Sequence, residues 1–534
     1  MRRRAFLLFM ILMILFSGLG ARIFSLSKSE IPVQYSESGL SIDVETVRGT
    51  VYDCNMKPLT NAGKSYYAAV RPSETAVTEL KKFIGADKIT DAAERLKNGK
   101  PIVLPVDEYT DSSPSVTVFS VPERYGIRQP ACHIIGYLDS QGRGISGIEK
   151  AFDEKLFSAR ETASVRFRTD ARGRIMNGCK AEISGCGIPE SGVVLTIDRD
   201  IQQAVEDALD RAEIECGCAV VVEVGSGAIR ACASRPVFDP MNIAASLSDE
   251  DSPLINRAFC AYNTGSVFKS VIASAALENG IGDFAFDCMG SVDFSGVTFN
   301  CHKKDGHSVL DLEQALMYSC NTFFASLGQL VGSDKIVDMA KKFGFGEAGH
   351  PAQGITSASG NLPSADELDS AAAIANISFG QGALTATPLQ ICSMTATIAA
   401  GGVYYEPFLV SGETDGSGNL TEYRRYSERK QVISEETADF LCAALRKTVT
   451  DGSGKKAGSE IVEVSGKTAT AQTGRFTEDG EIFNAWFSGF FPSDAPEYSV
   501  TVMIENGGEG ASSAAPVFKD ISEAVTCIEN RRQK

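Results

Sequence analysis

Ala5 to Ala21 is an uncharged run of 17 residues rich in Leu, Ile, Met and Phe, preceded by Met1-Arg2-Arg3-Arg4 and closed by Arg22. Such a run sits at the lower limit for a helix that crosses a bilayer, where every backbone polar group must be satisfied within the segment. Three arginines before it, and no comparable cluster just after it, orient the N-terminus to the cytoplasm and the body of the chain outside. Gly18-Leu19-Gly20 leaves a cleaved signal peptide as the rival reading, although the run exceeds the roughly 7–15 residues of a signal h-region. On either reading the body is extracytoplasmic; the anchor reading predicts a single-pass protein of the cytoplasmic membrane.

That location permits disulfides, so the 14 cysteines matter. Cys288 and Cys301 flank a polar stretch containing Gly290, Ser291 and Gly296 and are the leading pair for a bridge closing a hairpin-like loop. Cys179 with Cys186 and Cys216 with Cys218 are weaker pairs, while Cys232, Cys260, Cys392 and Cys442 lie in apolar stretches and read as small buried residues. No CxxC pair occurs, which disfavours a metal ribbon or a thioredoxin-like site. Asp and Glu outnumber Lys and Arg by 68 to 51, a balance that argues against phosphate-neutralising nucleic-acid binding. The four histidines, His133, His302, His307 and His350, include no pair spaced like metal ligands on one helix face.

Three segments follow: residues 1–27, the cytoplasmic tip and anchor; 28–190, mixed, with short strand-like runs and no sustained helical period; and 191–534, where the texture changes. Within the first 190 residues two stretches stand out without suggesting a reaction: Val47 to Asp53, and His133 to Leu156. Beyond residue 190, Val193 to Ile197 reads as a strand and Asp198 to Ala212 as a helix capped by Asp198. Cys218–Val224 and Ile229–Ala233 read as strands joined by Gly225-Ser226-Gly227. Near the C-terminus Trp486 to Phe491 is an apolar run, and Val500, Val502 and Ile504 alternate as a strand should. Strands at both ends of a mostly helical middle imply one sheet built from the two ends with a helical insertion. Polar, Gly-rich stretches at 411–420 and 451–460 read as surface loops.

Three patterns carry chemistry. In Gly265-Ser266-Val267-Phe268-Lys269 the apolar positions 267, 271, 272 and 275 predict a buried helix beginning near Ser266, which places Ser266 and Lys269 one turn apart. A lysine desolvated between helices has a lowered pKa and can take a serine's proton. Ser319-Cys320-Asn321 lies between two short helices predicted from Leu312, Ala315 and Leu316 and from Phe323, Phe324, Leu327 and Leu330. Val464 to Gln472 surrounds Lys467 with small and β-branched residues, suiting an edge strand that a substrate backbone approaches; Lys467, Thr468 and Thr470 suit a carboxylate. Taken singly, each has a plain reading: a solvated Ser and Lys, an Asn capping a helix, a surface strand. Their order and placement favour a shared site.

With these motifs the chain resembles a class B penicillin-binding protein, a membrane-anchored peptidoglycan transpeptidase, whose set is SxxK, Ser-x-Asn and Lys-Thr-Gly. Arg48 to Asp53, Gly147-Ile148-Glu149, Leu195 to Asp198, Asn256-Arg257-Ala258, Gly380-Gln381-Gly382, Thr387 to Gln390 and Ala514 to Phe518 resemble further family signatures along nearly the whole chain. The resemblance implies an α+β fold: a transpeptidase domain related to β-lactamases over 191–534, with an antiparallel sheet flanked by helices and a helical subdomain, on a strand-rich pedestal or dimerisation domain over 28–190. It implies that Ser266 is the nucleophile, Lys269 its base, Ser319 a proton relay and Asn321 a ligand of the donor peptide. Lys467, Thr468 and Thr470 would hold the substrate carboxylate, and the N–H groups of Ser266 and Thr470 the oxyanion. The implied partners are peptidoglycan stem peptides, β-lactams, the cytoplasmic membrane and a glycan-polymerising membrane protein of the SEDS type, with no nucleic acid and no metal or cofactor.

One departure is Ala469, where the family usually has Gly. A methyl group there is expected to narrow the cleft and to reduce or alter β-lactam reactivity without abolishing the site. The competing functions are a serine β-lactamase or D,D-carboxypeptidase on the same fold, and a non-catalytic scaffold or β-lactam-binding protein.

Overall fold

The computed structural model describes residues 2–28, 39–170, 172–176, 178–423, 427, 429–477 and 480–534. Arg2–Lys28 is one helix, and its Phe6–Phe24 segment, 19 residues with a mean hydropathy of 2.2, is long and apolar enough to cross a membrane.

The chain divides into two compact units that do not meet at residue 190. The smaller comprises residues 1–45, 65–121 and 162–186; the larger comprises 46–64, 122–161 and 187–534. Residues 46–64 and 122–161, placed in the pedestal by the sequence reading, therefore lie in the larger unit. Backbone pairing is one reason: Thr50–Tyr52 runs parallel to Gly192–Leu195 and extends a sheet with Val410–Thr414 and Leu420–Tyr423. That sheet also corrects the expected loop at 411–420, which is a hairpin: Ser411 and Gly412 lie in its first strand, and only Asp415 to Asn419 form the polar tip.

A buried ion cluster is the second reason. Arg48 donates to Glu149 at 3.0 Å and to Asp153 at 2.7 Å, Arg124 to Glu149 at 2.8 Å, and the Tyr125 hydroxyl to Glu149 at 3.1 Å. Glu149 is fully buried. The two N-terminal stretches that stood out in the sequence thus hold each other, a structural role rather than a reaction.

The sheet of the smaller unit sets the strand Gly63–Val70, from Ser65 on, between Ile102–Val106 and the Val116 to Val121 part of Val116–Glu123. Against this sheet packs a helix the sequence reading missed, Ala86–Lys97, which contributes Ala92 and Leu96 to the core. Six of its twelve residues are charged, so Ile89, Ala92 and Leu96 supply a narrow stripe that composition hides.

The larger unit is built on a five-stranded antiparallel sheet in the order Ile229–Arg235, Gly217–Glu223, Tyr498–Ile504, Gly480–Phe491, Ser465–Thr477. Its strands come from both ends of the segment, as the sequence implied. Every residue of the central strand Tyr498–Ile504 is buried, because helices cover both faces. Arg199–Arg211 and Ala514–Arg532 cover one face through Ile201, Val205, Leu209, Phe518 and Val525. Asp198 caps the first of these, its side chain accepting from the N–H groups of Asp200 and Ile201. Lys269–Glu278 and Pro388–Ala399 belong to the core on the other face; both are buried almost all round.

Candidate active site

Ser266 lies in a 3-10 turn, Gly265–Phe268, and the regular α-helix begins at Lys269, three residues later than expected. Gly265 sets this turn with φ of +56°, a left-handed conformation that favours glycine. Its N–H donates to the Gly380 carbonyl at 2.9 Å, a positioning contact the sequence reading did not assign. A Cβ on Gly265 would lie 3.2 Å from both Cα and Cβ of Ala471 and 3.3 Å from Cβ of Ala469. The bare glycine is what lets the edge strand Ser465–Thr477 close on the serine turn. The Ala469 methyl, where the family usually has no side chain, is buried against this glycine.

Lys269 is fully buried, and its Nζ donates to the Ser319 carbonyl at 2.8 Å, to Ser319 Oγ at 3.2 Å and to Asn321 Oδ1 at 2.7 Å. Burial of the cation pulls its pKa down to about 7, partly opposed by the sulfurs of Cys320 and Cys301. The second motif is shaped to meet it. Leu312–Met317 ends, Ser319 takes a left-handed φ of +55°, and Asn321–Val331 begins at once. That turn aims the backbone carbonyl, the hydroxyl and the amide of the motif at one amine. Asn321 is not the helix cap: Cys320 holds that position, and the Asn side chain is spent on the lysine.

The third motif lies on the sheet's edge strand, as expected. Lys467 is buried, with its pKa pushed well below the usual lysine value by desolvation and then by the charge of Lys269. Ser465 to Ala469 are all buried; only beyond them does burial alternate, with Thr470 exposed, Ala471 buried and Gln472 exposed. Thr468 Oγ1 bonds Ser453 Oγ at 3.2 Å, and Thr470 Oγ1 accepts from the Gly510 N–H at 3.3 Å. Ser453 and Gly510 are supports that no sequence pattern marked.

The structure thus brings the three motifs together: Lys269 bonds the second directly, and the serine turn packs on the third. It differs on the cysteines. All fourteen are free thiols, so no bridge joins Cys288 to Cys301, Cys179 to Cys186 or Cys216 to Cys218. The hairpin of Ser291–Phe294 and Val297–Asn300 does bring Cys288 and Cys301 together at its base, but His307 Nδ1 stands 3.5 Å from each sulfur and Cys320 joins the group.

Residues 217–523 match the penicillin binding protein transpeptidase domain family. Stage V sporulation protein D of Bacillus subtilis is 32% identical over 411 residues, covering 73% of this chain and 61% of that protein. The chain therefore spans less than two thirds of the length of that relative. Penicillin-binding protein PbpB of Mycolicibacterium smegmatis is 30% identical over 497 residues, covering 87% of this chain and 73% of that protein. Among solved structures, penicillin-binding protein 3 of Mycobacterium tuberculosis in complex with aztreonam superposes with a TM-score of 0.65 at 25% identity, covering 91% of this chain and 97% of that one. With the family matched over more than half its length and a buried lysine joining the expected motifs, the chain belongs to the penicillin-binding protein transpeptidase family.

Proposed function

We propose that this protein is a membrane-anchored peptidoglycan D,D-transpeptidase that works through a serine acyl-enzyme and is acylated by β-lactams. The observation that carries the reading is Lys269: a fully buried amine with a pKa near 7, held by Ser319 and Asn321 one turn from Ser266. Neutral Lys269 accepts the Ser266 hydroxyl proton as Oγ attacks the carbonyl of the penultimate D-Ala. The N–H groups of Ser266 and Thr470 hold the oxyanion that forms, and the substrate carboxylate rests on Lys467, Thr468 and Thr470. Collapse breaks the peptide bond, and the proton passes from Lys269 through the Ser319 hydroxyl, which both donates and accepts, to the departing D-Ala amine. An amine from a neighbouring stem then attacks the ester, gives its proton back along the same path and frees Ser266. Asn321 orients the donor peptide as well as the lysine. Arg2-Arg3-Arg4 keeps the N-terminus in the cytoplasm and the site outside, beside a glycan-polymerising membrane partner of the SEDS type.

The test is labelling of the detergent-solubilised full chain with a fluorescent penicillin, read by gel and intact mass, beside Ser266→Ala. The expected result is a stable adduct of one drug per chain, absent in the variant. Rapid drug hydrolysis would move the assignment to a β-lactamase, and a folded chain with no adduct at any concentration would leave a non-catalytic scaffold.

A further inference from the structure

Cys288, Cys301, His307 and Cys320 present three sulfurs and one ring nitrogen that all lie within 4.8 Å of one another. The three cysteines are buried, and His307 is half-buried with its ring stacked on Tyr318, centroids 5.7 Å apart. The backbone builds this convergence. The strand Phe286–Cys288 pairs with Ser308–Leu310, the His307 N–H donates to the Cys288 carbonyl at 2.9 Å, and the Cys301 N–H to the Gly290 carbonyl at 2.8 Å. Cys320 enters from the turn between Leu312–Met317 and Asn321–Val331.

The spacings decide between a bridge and a metal. A disulfide needs sulfurs about 2.0 Å apart. Around a tetrahedral zinc, bonds of about 2.3 Å to sulfur and about 2.0 Å to nitrogen set ligand edges of about 3.8 Å for S···S and about 3.5 Å for S···N. Here Cys301 and Cys320 sulfurs are 3.8 Å apart, and His307 Nδ1 is 3.5 Å from both Cys288 and Cys301. Thr322, fully buried, places Oγ1 3.1 Å from Cys288 Sγ and 3.3 Å from Cys320 Sγ, the place of a hydroxyl that orients thiolate ligands.

We propose that these four side chains form a closed, four-coordinate zinc site of the Cys3His type. Three soft thiolates and one imidazole in tetrahedral array select zinc over the harder divalent ions, and a site with no open position is structural. Its place in the fold gives it a second consequence, which rests on the function proposed above. Cys320 is flanked by Ser319 and Asn321, whose side chains both bond Lys269 Nζ. The metal therefore ties the 288–307 hairpins to the motif that orients the base, and the four ligands are positioning residues for it.

The full chain, purified without a polyhistidine tag in zinc-containing buffer and then desalted, is assayed for metal and for zinc-edge X-ray absorption. The expected result is one zinc per chain in a shell of three sulfurs and one nitrogen, lost in both Cys301→Ser and His307→Gln. This readout needs no catalysis, so it stands or falls apart from the transpeptidase reading. Chelation is expected to slow Ser266 acylation about tenfold, the usual lower figure for a disturbed metal environment, with recovery on zinc but not on a thiol reductant. A well-folded chain holding no zinc, zinc retained in both variants, or peptide mapping that finds Cys301 bridged to Cys320 overturns the site; acylation indifferent to zinc overturns the positioning role.

Discussion

Acylation should follow the protonation of one buried amine. A lysine at its ordinary pKa of 10.5 is neutral in only about 0.03% of molecules at pH 7, whereas one at about 7 is neutral in about half, a gain of roughly a thousandfold in competent base. The second-order rate of penicillin acylation should therefore rise about tenfold per pH unit below 7 and level off above about 8. The same shift has a stability cost. The folded pKa lies below the unfolded one, so the folded state binds fewer protons between them and stability rises with pH across the window from about 7 to 10.5. Below pH 7 the full penalty is present, about 5 kcal/mol for a shift of this size. Lys269→Met should thus abolish acylation, and it removes that penalty together with the amine's bonds to the Ser319 carbonyl, the Ser319 hydroxyl and the Asn321 amide oxygen, worth about 1.5–3 kcal/mol each while the donor is charged. These terms oppose each other below pH 7, so the readout is the slope: the parent should gain stability over the variant as pH rises above 7. The assay is stopped-flow acylation between pH 5 and 9, with thermal melts of both proteins at pH 6 and pH 9. A flat rate profile, or a parent that gains nothing over Lys269→Met between those two pH values, would refute the argument that burial arms this lysine.

Two further substitutions test the framework around it. Gly265→Ala imposes about 1–2 kcal/mol of left-handed strain and a Cβ 3.2 Å from Ala471, and should lower both melting temperature and acylation rate; an unchanged rate would show that the strand and serine turn need not touch. Glu149→Gln leaves Arg124 without its buried counter-charge and Arg48 with Asp153 alone, and should cost about 3 kcal/mol in urea unfolding, with the acylation pH profile of the surviving folded protein unmoved.

Much of the candidate site was legible because it is local: a serine and lysine three positions apart, a triplet between two short helices, a lysine among small strand residues. Periodicity also found sheet strands from both ends of the segment 191–534. What stayed hidden depends on distance along the chain. The pairing of Thr50–Tyr52 with Gly192–Leu195 leaves no mark on either segment, so the boundary drawn at residue 190 followed texture and missed topology. The four sulfur and nitrogen groups are spaced 13, 6 and 13 positions apart, from 288 to 301, 307 and 320, and match no short ligand pattern. Free-thiol geometry redirected Cys288 and Cys301 from a bridge to that cluster. The helix Ala86–Lys97 was masked by its own charge.

The parallel strand pair of the larger unit also sets an order of events during synthesis. Thr50 pairs with Gly192, so a strand made early has only its own turn, through Pro58 to Thr60, to bond on one side, and its parallel partner arrives more than a hundred residues later, after those of the smaller unit. The interleaved chain makes strictly sequential folding impossible for the larger unit: its first segment waits, exposed, while the intervening one can close on itself. A fragment starting at residue 191 would lack that first strand altogether and present Gly192–Leu195 as an unpaired edge, open to the wrong partner.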